Sequence, residues 1–518
     1  MIHPSVREVT RGLAQKHPVF RVSSSKISVL NEPRQFYALL LDMIRRAEYR
    51  IFISSLYIGS SETELIDAIY YALSEKPSLQ VYFQLDLNRS TRPGASSTAK
   101  ILLPLISRFP ERVHVSLFRS PHLRGVLAKL VPPRFNEGWG TWHAKIYGVD
   151  DEVIISGANL NQSYFTNRQD RYIHFKAQPH LVQYCFDFLR TVSTFSYKLS
   201  LPSATLEPNS YRHEGYVLHW PDSQTHPHHI QQKAGGALSA FQASWHTSHK
   251  LPALQDENDA GRPDSPEDDS VLLFPVIQAG QFNIREEESA LALLYRQLDE
   301  HSKRAKKEGN PRPLVDLTTG YFGLYKPYRD LILASDVDTR IVAASPKANG
   351  FYGSKGISGR IPEGYTLLEQ RFMRAVQKAG RMWDAPADCV HGKGVQLSEW
   401  ERDGWTYHAK GIWVSPSHSS PPVLTLFGST NLNSRSAHID TELSFIMVVP
   451  FAQDTVRPVD AGAQPTKDPS HAPSTVALRH QLAGEVSQLR SYATRWKGAQ
   501  RRVRYWTRVI VKMVEGML

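Results

Sequence analysis

The sequence predicts an α/β protein made of two pseudo-symmetric αβα halves. Each half is expected to hold a mixed, largely parallel sheet, and the two pack face to face around one shared site. Three observations predict this: a polar motif occurs twice, the segments around it repeat at a nearly constant offset, and strand-like runs alternate with helical ones in both copies.

The first motif reads TWHAKIYGVDDEVIISGANLNQSYFTNRQD and carries His143, Lys145, Asp150, Asn159, Asn161 and Asp170. The second reads TYHAKGIWVSPSHSSPPVLTLFGSTNLNSRSAHIDTE and carries His408, Lys410, Ser429, Asn431, Asn433 and Glu442. In both copies the acid follows the first Asn by eleven residues. Paired histidines, lysines, amides and carboxylates are the parts needed to break and remake a phosphodiester without a metal: ammonium groups neutralise phosphoryl oxygens, one imidazole attacks, the other handles the proton, and the acids orient the rings. A third H-x-K, His391 and Lys393, lacks the downstream Asn and acid and reads as a solvated loop.

The repeat extends beyond the motifs. YRIFISSLYIG (Tyr49 to Gly59) is a β-rich run ending in a turn and followed by the helical ETELIDAIYYAL; its counterpart is LVDLTTGYFG (Leu314 to Gly323), followed by YKPYRDLILAS. Next come LQVYFQLDLNRSTRPG and TRIVAASPKANGFYG, each a strand running into a basic, glycine-containing loop. Gly59 to Gly323 is 264 residues and His143 to His408 is 265, so the duplication is architectural. Strands alternating with helices argue for βαβ units.

At 518 residues the chain exceeds one ordinary core. The expected division is a first half over 1–201, a low-order linker over 202–270 rich in Pro, Gly and acids, a second half over 271–475, and a basic C-terminal helical segment over 476–518. A further poorly ordered stretch is expected at Gln453 to Ser474. Two cysteines, Cys185 and Cys389, suggest no disulfide framework, and no four-ligand zinc pattern is present.

The net charge of +11 favours anionic partners: nucleic acid, anionic lipid or a phosphorylated substrate. No apolar run reaches the roughly 18 to 20 residues that span a bilayer. The segment RWKGAQRRVRYWTRVIVKMVEGML, read as one helix, places Trp496, Ala499, Val503, Trp506, Ile510 and Met517 on one face and Arg501, Arg504, Arg508 and Lys512 on the other. That composition suits an anionic membrane surface, and equally a helix that covers a core. LRGVLAKLVPPRF (Leu123 to Phe135) could line a lipid entrance or form a loop. The first 46 residues are basic like an organellar leader but run into a folded-looking segment, so a longer natural leader is expected to precede them.

The two motifs resemble the H-x-K-x4-D and G-S-x-N pattern of the phospholipase D superfamily. The first copy keeps Asp150 but has Ser156 and Gly157 in reversed order; the second has Ser415 in the Asp slot. The resemblance implies two phospholipase D-like halves, catalytic roles for His143, Lys145, His408, Lys410, Asp170 and Glu442 with Asp150 bracing the local fold, and acids that contact the imidazole of the opposite half. It also implies that the first-copy histidine is the nucleophile and that no cofactor is required. Within the superfamily, SSLYIG, LDLNRSTRPG, SGANLNQSYFTNRQDRY and SPKANGFYGSKGISGRIPEGY are similar to the eukaryotic mitochondrial phosphatidylglycerophosphate synthases. That likeness implies transfer of a phosphatidyl group from CDP-diacylglycerol to glycerol 3-phosphate, on the route to cardiolipin, by a peripheral protein of the mitochondrial inner membrane, matrix side, that binds no nucleic acid. Asn159, Asn161, Asn431, Asn433 and Ser429 are then expected at the substrate, with phosphate contacts from the basic loops at Arg89, Arg92, Lys347, Lys355 and Arg360.

Rival readings share much of this chemistry. A cardiolipin synthase or phospholipase D would differ only in the acceptor. A superfamily nuclease or phosphodiesterase should show aromatic stacking surfaces. A non-catalytic lipid-binding protein would have no reason to keep both His-Lys-Asn-acid sets.

Overall fold

A computed structural model describes residues 1–94, 96–124, 131, 136–203, 207–251, 269–385, 392–451 and 474–514. Each half centres on one ten-stranded sheet. In the first, the strands Arg50–Ser54, Gln80–Asp86 and Val113–Phe118 pair in parallel, joined by the helices Thr63–Glu75 and Thr98–Arg108. In the second, Leu314–Thr319, Asp338–Ala344 and Val395–Trp400 do the same, with the helices Lys326–Ala334 and Ile361–Lys378 between them. Buried faces on both sides explain the near-continuous apolar runs.

Parallel pairing stops there, so the sheets are mixed but not largely parallel. Ile146–Val149, Glu152–Ser156 and Tyr172–Phe175 add antiparallel, as do Gly411–Ser415, Leu424–Gly428 and Glu442–Val448. A parallel crossover needs about a dozen residues, and the turn after Val149 has two. Asp150 makes that turn with φ +48°. Its carboxylate accepts the backbone N–H groups of Glu48, Tyr49 and Arg50 at 2.8 to 2.9 Å, which ties the turn to the start of the neighbouring strand.

The two ends of the chain cross between halves, which corrects the expected boundaries. The helix Pro4–Ala14 buries Val6, Val9 and Leu13 in the second half's core, and the strand Phe20–Ser23 pairs with the apolar strand Ser270–Ala279 of the second sheet. In return, the helix Ser474–Ser491 buries Leu478, Leu482, Val486 and Leu489 in the first half's core. Its Glu485 accepts Arg171 Nε and Nη2 at 2.8 and 2.9 Å and Trp413 Nε1 at 2.9 Å, with both members of the ion pair buried. Glu485→Ala leaves that guanidinium without its carboxylate, so we expect it to cost about 3 to 5 kcal/mol, read as a lower denaturant midpoint. An unchanged midpoint would contradict this account of the join.

The expected low-order linker holds structure. The hairpin Ser210–His213/Tyr216–His219 extends the first sheet through Tyr197–Ser200, and the helix Gln231–Ser248 packs Phe241 on Tyr184 at 5.0 Å between centroids. Average composition over the window hid the apolar Tyr216, Val217, Leu218 and Trp220, all buried. Its acidic part, 252–268, lies outside the described residues, as do most of Gln453 to Ser474, His391, Cys389 and most of Leu123 to Phe135.

The C-terminal segment is not one helix. Ala493–Arg495 joins the edge of the second sheet, which leaves among the described residues a single 3-10 turn at Gly498–Gln500 and the α-helix Tyr505–Val514. Val503 and Val511 are buried beside Leu367, and the Trp496 indole donates to Glu369 at 3.1 Å, so Trp496 faces the protein. Tyr505, Trp506 and Met513 stay exposed, and Met517 lies outside the described residues.

Candidate active site

Backbone pairing between the halves builds the site. The strand Thr406–Tyr407 runs parallel to Arg168–Gln169, and His408 N donates to Gln169 O at 2.8 Å. On the other side His143 N donates to Thr441 O, and Thr441 N to Thr141 O, both at 2.9 Å. Each H-x-K segment thus lies against the residues just before the other half's acid, which forces the acids to cross over.

His143 Nδ1 sits 2.9 Å from both oxygens of Glu442, and His408 Nδ1 lies 2.6 Å from Asp170 Oδ2. All four side chains are buried. Burial would raise the Glu442 carboxyl, but His143, Lys145 and Ser429 hold it down at about 2. Burial likewise opposes ionisation of Asp170, and Lys410 and His408 outweigh it. The imidazoles move the other way: burial pulls His143 below 6.5 against Glu442, and burial with the Lys410 ammonium pulls His408 well below it. Burial also lowers both lysines, Lys145 strongly. An ionised carboxylate beside a neutral imidazole selects the Nδ1–H tautomer and leaves the Nε2 lone pair facing the site.

One of the differences between the half-sites sets the room beside each acid. Gly157 lies where an added Cβ would meet Lys410 Nζ at 2.6 Å and Asp170 Oδ1 at 2.5 Å. The Lys410 ammonium therefore fits beside the acid, 2.7 Å from His408 Nδ1 and 3.5 Å from Asp170 Oδ2. The matching residue in the other half is Ser429, whose hydroxyl donates to Glu442 at 2.5 Å; Ser436 donates to the same carboxylate at 2.7 Å. Lys145 instead donates to its own strand, to His143 O at 2.5 Å. His143 Nε2 makes no hydrogen bond among the described residues, whereas His408 Nε2 lies 3.3 Å from the Tyr164 hydroxyl.

Among the described residues one group has metal-ligand spacing: His143, Asp440 and Glu442, with ligand atoms within 4.8 Å of one another. Its carboxylates are already engaged. Glu442 serves His143 and two serines, and Asp440 accepts Thr141 N, Thr141 Oγ1 and Arg435 Nε at 2.7 to 2.9 Å.

No protein-family model matches the chain. Curated relatives do. The mitochondrial CDP-diacylglycerol–glycerol-3-phosphate 3-phosphatidyltransferase of Gallus gallus is 36% identical over 450 residues, 83% of this chain and 76% of the relative. The Homo sapiens relative of the same name is 37% identical over 83% of this chain and 75% of its own length, and the Schizosaccharomyces pombe CDP-diacylglycerol–glycerol-3-phosphate 3-phosphatidyltransferase is 35% identical over 83% and 86%. The chain belongs to this phosphatidyltransferase family. The fold is similar to a crystal structure of phosphatidylserine synthase from Haemophilus influenzae Rd KW20, with TM-score 0.62 at 17% identity over the whole of both chains.

In this phosphatidyltransferase, several residues expected at the substrate have other work. Asn161 and Asn433 are helix N-caps: their Oδ1 atoms accept Ser163 N at 3.3 Å and Ser436 N at 2.9 Å. Ser429 orients Glu442, and Asp150 braces its turn away from the imidazoles. Asn159 and Asn431 remain at the centre. Asn159 Oδ1 accepts Leu56 N at 3.3 Å while its amide donates to Tyr164, and Asn431 Oδ1 is buried without a partner among the described residues. Arg89 and Arg92 both pair with Glu137, and Arg89 stacks over Tyr57 at 4.2 Å. Lys347 is exposed and paired with Glu401 at 3.0 Å, a solvated contact; Lys355 is exposed and Arg360 half-buried on the turn that precedes the helix Ile361–Lys378.

Other neighbours of the imidazoles were missed in the sequence. Tyr164 and Tyr321 present ring edges to His408 at 5.2 and 5.4 Å. Tyr321 is the repeat partner of Tyr57, 264 residues away, a correspondence that lies outside the His-Lys-Asn-acid motifs. Arg168, two residues before Asp170, lies over the Tyr164 ring at 4.5 Å and has no ion pair among the described residues. Nothing in the sequence marks Glu137.

Proposed function

We propose that the chain transfers the phosphatidyl group of CDP-diacylglycerol to glycerol 3-phosphate through a phosphohistidine, releasing CMP. The observation that carries this reading is the crossed pair of carboxylate-bound imidazoles, each beside a buried lysine, in a chain whose relatives are named for that reaction.

His143 Nε2 attacks the phosphorus that carries diacylglycerol, and its bond to the α-phosphate oxygen breaks. The departing CMP phosphate has a second pKa near 6, so it leaves with little help from an acid. The heavier proton demand comes afterwards. His408, kept neutral by burial and Lys410, takes the proton of the glycerol 3-phosphate hydroxyl as that oxygen attacks and the P–N bond breaks. Lys145, Lys410, Asn159 and Asn431 hold the phosphoryl oxygens, with Arg168, Arg89 and Arg92 at the rim. These groups supply the charge neutralisation that metals give elsewhere, so no metal is required.

The product lies on the route to cardiolipin. Relatives named as mitochondrial support work in mitochondria. No described helix is long and apolar enough to cross a membrane, and the exposed Tyr505, Trp506 and Met513 among Arg504, Arg508 and Lys512 suit peripheral attachment to the anionic matrix face of the inner membrane, without nucleic acid.

The test is incubation of the protein and labelled CDP-diacylglycerol with glycerol 3-phosphate, phosphatidylglycerol or water, with and without excess EDTA. Label should pass to glycerol 3-phosphate in both conditions. Preferred transfer to phosphatidylglycerol or water would favour a cardiolipin synthase or phospholipase D, and full loss in EDTA restored by one metal would contradict the metal-free mechanism.

The acid limb of kcat/KM for CDP-diacylglycerol should reflect His143 in the free enzyme. Protonation inactivates a nucleophile, so activity falls as pH drops through its pKa. Burial sets that pKa below 6.5, so the midpoint of the acid limb should lie below that of an ordinary histidine. A limb centred above pH 7 would contradict a neutral, desolvated His143.

A further inference from the structure

Away from the imidazoles, a cavity of about 520 Å³ lies between the helix Ile361–Lys378, the edge strand Val395–Trp400 and the C-terminal segment. Its wall carries two kinds of side chain. Met373, Met382, Trp383 and Trp496 are apolar, and Arg374, Arg495, Arg501 and Arg508 bring four arginines to the same lining. Among the described residues only Arg501 is neutralised, by Glu399 with Nη2 to Oε2 at 2.7 Å. Arg495 donates to the backbone oxygens of Ala385 and Trp383 at 3.1 and 3.5 Å. Arg374 and Arg508 each use Nε on a nearby backbone oxygen, Gln370 O at 3.1 Å and Val503 O at 3.3 Å, and none of these three has an ion pair among the described residues. Glu369 stands close by but is no counter-charge: burial and Glu399 push its carboxyl up to about 8, and it accepts the Trp496 indole.

Three guanidinium groups with no ion pair among the described residues line one half-apolar cavity, and like charges so placed are favoured by an anion between them. Beside the opening, the helix Tyr505–Val514 carries Arg508 in the cavity wall and exposes Tyr505, Trp506 and Met513 to solvent. We propose that this cavity is a second lipid site, separate from the catalytic one, which binds an anionic phospholipid with its phosphate on Arg374, Arg495 and Arg508 and its first chain carbons against Met373, Met382 and Trp383. The lipid source rests on the membrane-facing reading of the terminal helix. The same helix Ile361–Lys378 that walls the cavity begins at the Lys355–Arg360 turn, so occupancy bears on a loop expected at the substrate.

The test is calorimetric titration of the full chain with dihexanoylphosphatidylglycerol below its micelle concentration, with dihexanoylphosphatidylcholine and inorganic phosphate as further arms. The anionic lipid should bind saturably. Arg374→Glu and Met382→Glu, both at exposed positions, should each weaken binding about tenfold or more, the scale of one charge-assisted contact. His143→Ala should leave this binding unchanged, which separates the cavity from the active site. Vesicle flotation of Trp506→Ala with Met513→Ala reads the membrane face independently: lost flotation with retained short-chain binding supports a cavity that acts apart from membrane attachment. Binding unaffected by both cavity variants, equal binding of the zwitterionic lipid, or equal competition by inorganic phosphate would each overturn the proposal.

Discussion

His143→Ala is expected to lower phosphatidyl transfer by at least about 10⁴-fold, the scale seen when a covalent nucleophile is removed. The loss should fall on both CMP release and product formation, because no phosphohistidine can form. His408→Ala should behave differently. CMP is a good leaving group, so the first half-reaction should persist as a burst of about one CMP per enzyme. Transfer to glycerol 3-phosphate should then stall, since nothing takes the hydroxyl proton. Equal loss of the burst in both variants would contradict the division of labour.

Glu442→Gln should cost about 10⁴-fold, comparable to neutralising the carboxylate of other His–acid pairs. Glu442 accepts from His143 Nδ1, Ser429 and Ser436 at once, so the carboxylate must be ionised and acceptor-only to serve all three. A glutamine offers an amide donor in that cluster. Where its NH₂ meets Nδ1, the imidazole proton shifts to Nε2 and the attacking lone pair is lost. Far-UV circular dichroism should be unchanged. Activity within tenfold of the parent chain would show that His143 orientation does not depend on Glu442.

The chemistry of the site was legible because it demands fixed residue types at fixed spacing, and it occurs twice. His143, His408, both lysines and both acids come together as the repeat implies, and the crossed acids follow from pseudo-symmetry. The capping by Asn161 and Asn433 was not legible because helix capping and phosphate binding use the same side chain, and only geometry tells which Oδ1 meets a backbone N–H. The exchange of chain ends was invisible for another reason: Phe20–Ser23 finds its partner about 250 residues away at Ser270–Leu273, and no local periodicity encodes that. The linker was misread because Pro, Gly and acids averaged away one hairpin and one helix. The Gly157/Ser429 difference was in plain view as a reversed Ser-Gly order, yet its consequence, room for Lys410 beside Asp170, appears only when the halves are packed.

The most direct measurement is to mix the protein with CDP-diacylglycerol and no acceptor, quench in alkali, where phosphohistidine survives, and map the modified residue by mass spectrometry. The account predicts a phosphatidyl group on His143, with His408 unmodified and CMP released in equal amount. A phosphatidyl group on His408 with His143 unmodified would reverse the roles, and product formation with neither histidine ever modified would contradict the covalent mechanism.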